Sequence, residues 1–266
     1  MMFSVCLLLY VLLGLGGAIG TVLGGGLRAA WALLLWPGYT LVLTFLHIAV
    51  FALSSFLLKK TPLDRIRDGA WSRLFFCESV RLAMCLLRVR VHVEGKEMLP
   101  RDKRAPFLFV SNHVSHFDPM VQSVLLYGRR ILFLTKPENL ALPVVGRYLV
   151  RTGFLPIDRR EPKRAMEAVH TAVRRILEDG CTVGVYPEGT ISKGPSLLGF
   201  HDGVFLMAKK ADVPVLVSTV RGTERIRRGL LCPWTDVYIT YEQWIPQDRV
   251  RETRPVDLSR EVRAIM

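Results

Sequence analysis

Residues 106–119 read PFLFVSNHVSHFDP, a short, mostly apolar run that breaks at once into a polar loop and closes on Asp118-Pro119. Runs of similar length recur at 89–94 (VRVHVE), 131–135 (ILFLT), 153–157 (GFLPI), 182–186 (TVGVY), 213–220 (VPVLVSTV) and 236–241 (DVYITY). Helical patterns fill the gaps at 118–127, 138–150, 163–179 and 200–210, and Gly180 follows the clearest of them as a helix stop. This alternation predicts an α/β body: a mixed, largely parallel sheet flanked by helices.

Toward the N-terminus the composition changes. Half of the 266 residues are hydrophobic, which excludes a disordered chain, and the formal net charge is +13. Residues 1–60 contain only Arg28, Lys59 and Lys60 as charges, so the other 33 basic and all 23 acidic residues fall in 61–266. The uncharged stretches 1–27 and 29–58 each exceed the roughly 20 residues a helix needs to cross hydrocarbon. They predict a membrane helical hairpin, and the expected division is 1–60 for the membrane segments and 61–266 for the body. A signal peptide fits poorly, because no basic region precedes the apolar run.

Gly16, Gly20 and Gly24 share one helical face and predict close helix contact there, with Gly24-Gly25-Gly26 also suited to a turn. Pro37-Gly38 predicts a kink that would permit a shallow re-entrant hairpin. The run 64–88 has helical spacing and reads as a helix near the membrane. Lys59, Lys60, Arg65 and Arg67 follow the second segment, which predicts a body on the cytoplasmic side of an inner membrane. Cys6, Cys77, Cys85, Cys181 and Cys232 are odd in number and unclustered, as suits reduced thiols rather than a disulfide or zinc framework.

Reacting groups collect at the carboxyl ends of strands in α/β sheets. After 106–111 come His113 and Asp118, five residues apart and so about 140° apart on a regular helix. A turn must bring them together. A carboxylate on one ring nitrogen leaves the other free to accept a proton, which makes His113 a candidate general base. Two other readings remain open: Asp118 as N-cap of the next helix with Pro119 at its first position, or His113, His116 and Asp118 as metal ligands. Asp158-Arg159-Arg160 and Pro187-Glu188-Gly189-Thr190 follow two further strands.

NHVSHFD at 112–118, GFLPIDRR at 153–160 and YPEGTIS at 186–192 resemble the first three sequence blocks of the lysophosphatidate acyltransferase family, and VPVLVSTV falls where its fourth, apolar block lies. The resemblance spans roughly residues 90–220. It implies transfer of an acyl chain from acyl-CoA or acyl-acyl carrier protein to the hydroxyl of lysophosphatidate, giving phosphatidate, with no metal and no resident cofactor. His113 takes the family's base role and Asp118 the orienting role. Arg159 and Lys136 match phosphate-binding positions, and Asn112, Glu188, Gly189 and Thr190 complete the expected binding set. The departures are Ile191 where the family carries Arg, His201-Asp202 where it carries a basic pair, and Val217 where it carries a proline. They make the acceptor site less basic than usual.

The positive body suits an anionic leaflet and a phosphorylated donor. Nucleic acid is excluded as a partner, since aromatic residues do not interleave with the charges and no known module is present. The alternative is a membrane protein that remodels or binds a different lysolipid, such as a lyso-aminolipid.

Overall fold

The computed structural model describes residues 4–25, 30–58, 69–158, 160–194, 196–228 and 234–266. Arg28, Lys59, Lys60, Arg65, Arg67, Arg159 and Cys232 lie outside the described residues. Two long helices come first, α1 (Val5–Gly25) and α2 (Ala30–Leu57), each holding a stretch long and apolar enough to cross a membrane. Pro37 lies inside α2, and the helix continues through it from Ala30 to Leu57.

The helices pack antiparallel, but not on Gly16 or Gly20; the surroundings of the third predicted glycine, Gly24, lie outside what is described. A Cβ on Gly16 or Gly20 would meet nothing within 4 Å, whereas one on Gly14 would lie 2.6 Å from the Thr40 hydroxyl and 3.1 Å from its backbone nitrogen. Gly14, Ala18 and Val22 form the buried stripe. Gly16 and Gly20 are rotated about 160° from Gly14 and Ala18, taken as the neighbours two positions on (Gly14 to Gly16 is two steps of 100°).

The body is a seven-stranded sheet in the order β1-β7-β6-β2-β5-β3-β4. Its strands are β1 (Val89–Glu94), β2 (Leu108–Ser111), β3 (Ile131–Thr135), β4 (Leu155–Pro156), β5 (Thr182–Val185), β6 (Val215–Arg221) and β7 (Thr235–Ile245). β6, β2, β5, β3 and β4 run parallel. β7 is antiparallel to β6, with a bulge near Val217, and β1 follows β7. β7 is therefore longer than its predicted span, and β4 shrinks to two residues beside Gly153, whose φ of 90° is turn geometry.

Helices cover both faces: α3 (Ala70–Leu86), α4 (Asp118–Leu125), α5 (Pro137–Leu140), α6 (Val145–Arg151), α7 (Pro162–Asp179), α8 (Leu206–Ala211), α9 (Gln247–Glu252) and α10 (Pro255–Ile265). The helix expected at 138–150 is two, because Pro143 cannot continue one and Val144 takes a φ of 61°. Residues 202–205 are a tighter 3-10 turn ahead of α8. α7 begins on Pro162 and ends on Gly180 at φ 62°, where the Cys181 N–H reaches back to the Arg175 carbonyl.

Successive strand residues feed opposite cores. Leu108, Val110, Leu132, Val183 and Val185 pack under α7, α8 and α10. Phe107, Phe109, Phe133 and Leu216 pack under α3, α4 and α6. Burial on both faces explains why these parallel strands read as continuous apolar runs. The helical pair is tied to this second core: Phe51 stacks on Tyr148 with centroids 4.2 Å apart, Ser54 meets the Tyr148 hydroxyl at 2.6 Å, and Arg147 donates to the Ser55 carbonyl at 3.1 Å.

Candidate active site

Because β2, β3, β4, β5 and β6 run parallel, the loops after them share one sheet edge. His113 and Asp118 meet there. The His113 Nδ1 and Asp118 Oδ2 lie 2.8 Å apart, with the carboxylate fully buried and the imidazole side chain 16% exposed. The same Oδ2 accepts the backbone N–H of Val114 and of Ser115, each at 2.8 Å, which bends the loop into the turn that the five-residue spacing demanded. Oδ1 accepts the Thr223 hydroxyl. Asp118 is thus not the N-cap of α4: it is the first helical residue, Phe117 is the cap, and no side chain caps. Its carboxylate reaches back over the loop because four donors converge there.

The other expected site residues fall into three groups. Asn112 clasps the end of β6, donating to the Val220 carbonyl at 3.0 Å and accepting the Val220 N–H at 2.7 Å. Glu188 is buried and accepts the His113 N–H at 2.8 Å and the Leu198 N–H at 2.9 Å, so both oxygens hold the framework of the loops. Gly189, at φ 74°, makes the turn after β5, and its N–H donates to the Tyr186 carbonyl at 3.0 Å. Thr190 follows it and is exposed, while Ser192 donates its N–H to the His113 carbonyl at 2.7 Å. Lys136 follows β3 directly and is exposed on the same edge. Arg159 lies outside the described residues, between Asp158 and Arg160.

Tyr186 went unassigned in the sequence and is central in the structure. Its ring stacks on the His113 imidazole with centroids 4.3 Å apart and planes at 21°. Phe133 stacks beneath it at 5.7 Å and 12°, in space that Gly184 leaves open: a Cβ there would stand 2.3 Å from the Phe133 ring. The Tyr186 hydroxyl donates to Gln122 Oε1, and Gln122 donates to the Ser111 hydroxyl at 3.0 Å. Burial, and then the Asp118 carboxylate, push the Tyr186 phenol well above its ordinary pKa of 10, so it remains a donor.

Thr223 was also missed, although it too follows a parallel strand. Gly222 precedes it at φ 91°, with the Asp236 carbonyl 2.3 Å from where a Cβ would stand, so a tight turn needs glycine here. Counting the loop after β6 with the other strand-end loops would have found both residues.

His116 is exposed beside the pair. Burial of its ring, then the charges of His113, Arg227 and Lys136, hold its pKa below the ordinary 6.5. Arg227 therefore joins Lys136 in making this edge positive. Among the described residues no three His, Cys, Asp or Glu side chains converge as a metal site would require. The pair with its open Nε2, a ring support and nearby cations suits proton removal from a hydroxyl near an anionic group.

Residues 90–221 match the family model described as Acyltransferase. The chain is similar to the chloroplastic 1-acyl-sn-glycerol-3-phosphate acyltransferase LPAT1 of Arabidopsis thaliana, 31% identical over 52% of this chain and 37% of that protein. It is similar to the 1-acyl-sn-glycerol-3-phosphate acyltransferase of Borreliella burgdorferi, 26% identical over 54% of this chain and 56% of that protein. It is also similar to 1-acyl-sn-glycerol-3-phosphate acyltransferase alpha of Homo sapiens, 31% identical over 49% and 45% of the two chains. The matches thus span between 37% and 56% of the length of these relatives. The crystal structure of the 1-acyl-sn-glycerophosphate acyltransferase PlsC from Thermotoga maritima superposes with a TM-score of 0.59 over 85% of this chain and 92% of that one, at 23% identity. It shares the fold.

Proposed function

We propose that this chain, which carries an acyltransferase-family domain over residues 90–221, is a membrane-bound 1-acyl-sn-glycerol-3-phosphate O-acyltransferase. The observation that carries the reading is the His113–Asp118 pair at 2.8 Å on the carboxyl edge of the sheet. With Nδ1 bonded to the carboxylate, Nε2 is the nitrogen that takes the acceptor's hydroxyl proton as that oxygen attacks the thioester carbonyl. Asp118 stabilises the imidazolium, and the proton then goes to the departing thiolate as the carbon–sulfur bond breaks. Such base assistance contributes about 10²–10⁴ in rate. The developing oxyanion needs backbone donors. Gly189 already uses its N–H within the turn, which leaves the N–H groups of Glu188 and Thr190 from that trio.

Lys136, Arg227 and Arg159 would meet the acceptor phosphate, which carries about −1.5 to −2 charges near pH 7. The donor is acyl-CoA or acyl-acyl carrier protein, serving as co-substrate. The two apolar helices hold the domain at a membrane, with the body on the cytoplasmic face.

The test uses the full chain in membranes with radiolabelled acyl-CoA and a panel of acceptors. His113→Ala should abolish transfer without lowering membrane-inserted protein. Arg159→Ala and Lys136→Ala should raise KM for lysophosphatidate more than for the donor. An inert lysophosphatidate beside an acylated zwitterionic lysolipid would defeat the acceptor assignment. Near-normal kcat in His113→Ala would defeat the mechanism.

A further inference from the structure

An open cleft of about 610 Å³ lies at the opposite edge of the sheet, lined among others by Arg73, Lys103, Arg104, Arg130 and Asp179. Arg104 lies ahead of β2, Arg130 stands immediately before β3, and Asp179 closes α7 ahead of β5. His113 follows the far end of β2, so the four residues of that strand, about 13 Å at roughly 3.3 Å each, separate the two places.

The cleft wall is held in shape. Buried Arg129 donates to the carbonyls of Asp102, at 3.0 Å, and Pro100, which pins the loop bearing Lys103 and Arg104. The Arg104 N–H donates to Asp102 Oδ1 at 2.8 Å, closing the loop on itself. The Lys103 stem lies over Gly128, where a Cβ would come within 3.2 Å of it. Arg130 donates to the Asp179 carbonyl at 3.1 Å, and the Asp179 carboxylate is paired with Arg175 at 2.6 Å. Among the described residues, no carboxylate pairs with Lys103, Arg104 or Arg130. Burial, with Arg130 among the opposing charges, also holds the Arg73 guanidinium below its ordinary pKa.

We propose that this cleft is a second binding site, remote from the acyl-transfer edge, for an anion bearing two phosphate groups. Cations gathered at one sheet edge repel one another until an anion enters. Two phosphates carry about −3 to −4 charges near pH 7, which matches the three cations Lys103, Arg104 and Arg130, whereas a single carboxylate would leave most of that charge uncompensated. Guanidinium forks from two strand ends suit phosphate oxygens in paired contacts. The volume lies within the roughly 300–1,000 Å³ of small-molecule sites. The same chemistry occurs in a soluble nucleotide bisphosphate and in a phosphorylated lipid headgroup.

The experiment is calorimetric titration of the full chain in phosphatidylcholine nanodiscs at about 0.15 M salt, so that long-range attraction is screened. The probes are inorganic pyrophosphate, adenosine 3′,5′-bisphosphate and a water-soluble phosphatidylinositol bisphosphate. Tighter binding of the second probe assigns a soluble source, and of the third a lipid source. Lys103→Gln with Arg104→Gln should raise Kd at least tenfold, and Arg130→Gln alone should weaken binding about threefold or more. Arg249→Gln with Arg260→Gln, equal in charge but on exposed α9 and α10, should change Kd less than twofold. Basal acyl transfer should stay within twofold in all of them. Failure of every probe to bind, or equal loss in the α9/α10 control, overturns the proposal. If one cleft variant misfolds, the other still decides.

Discussion

Replacing Asp118 by Asn removes negative charge from the point where four donors converge while keeping the shape of the side chain. With the amide oxygen in the place of Oδ2, the bonds from His113 Nδ1, Val114 and Ser115 survive, and the new NH₂ donates to the Thr223 oxygen. The loop should therefore keep its turn. What changes is the strength of each contact, since hydrogen bonds to a charged acceptor contribute about 1.5–3 kcal/mol and neutral ones about 0.5–1.5. Losing roughly 1 kcal/mol on two or three bonds predicts a stability decrease of about 2–3 kcal/mol, readable by denaturant unfolding in detergent. The effect on rate should be larger. The imidazolium formed at His113 loses its counter-charge in a buried setting, and a fall of about 10²–10⁴ in kcat is expected, or about 2.7–5.5 kcal/mol on the barrier. KM for both substrates should move little. A variant that unfolds as expected yet keeps kcat within threefold would refute the orienting and charge-stabilising role of Asp118.

Gly184→Ala should cost about 1–3 kcal/mol, because the new methyl would meet the Phe133 ring at 2.3 Å, and kcat should fall with it as the stack under His113 tilts; unfolding curves and turnover check this together. Gly14→Val should loosen the helical pair by about 1–3 kcal/mol while Gly16→Val stays within about 0.5, a contrast that thermal unfolding in detergent reads directly. His116 has a folded-state pKa below 6.5, so the unfolded chain binds its proton more tightly. Its contribution is fully present above about pH 6.5 and is lost as pH falls through the folded value. His116→Gln should therefore lose less stability than the parent between about pH 7 and 5, and parallel acid-unfolding curves would contradict this.

Much of the fold was legible because its signals are local. The alternation of β1, the apolar runs in β2, β3, β5 and β6, the Pro162 start and Gly180 stop of α7, and two long uncharged segments each declare themselves within a short window. The pairing of His113 with Asp118 was also local, since five residues of loop can be bent by that carboxylate's own backbone contacts. The antiparallel run of β7 and the small C-terminal helices α9 and α10 were not read, because strand order and direction are properties of pairing rather than of any one segment.

The site shows the same division. The chain by itself determined which residue types stand after each strand, and hence that His113 and Asp118 share one loop at the sheet edge, while Lys136 was singled out only by the resemblance. Only the tertiary structure decided what supports them. Thr223 reaches Asp118 across 105 residues, Tyr186 stacks on His113 from another strand, and Gly184 matters only because Phe133 lies opposite it. The helix contact passing through Gly14 rather than Gly16 belongs here too. Periodicity places residues on a face, but which face is buried depends on the partner that packs against it, and the shape of that partner is a long-range property of the folded chain.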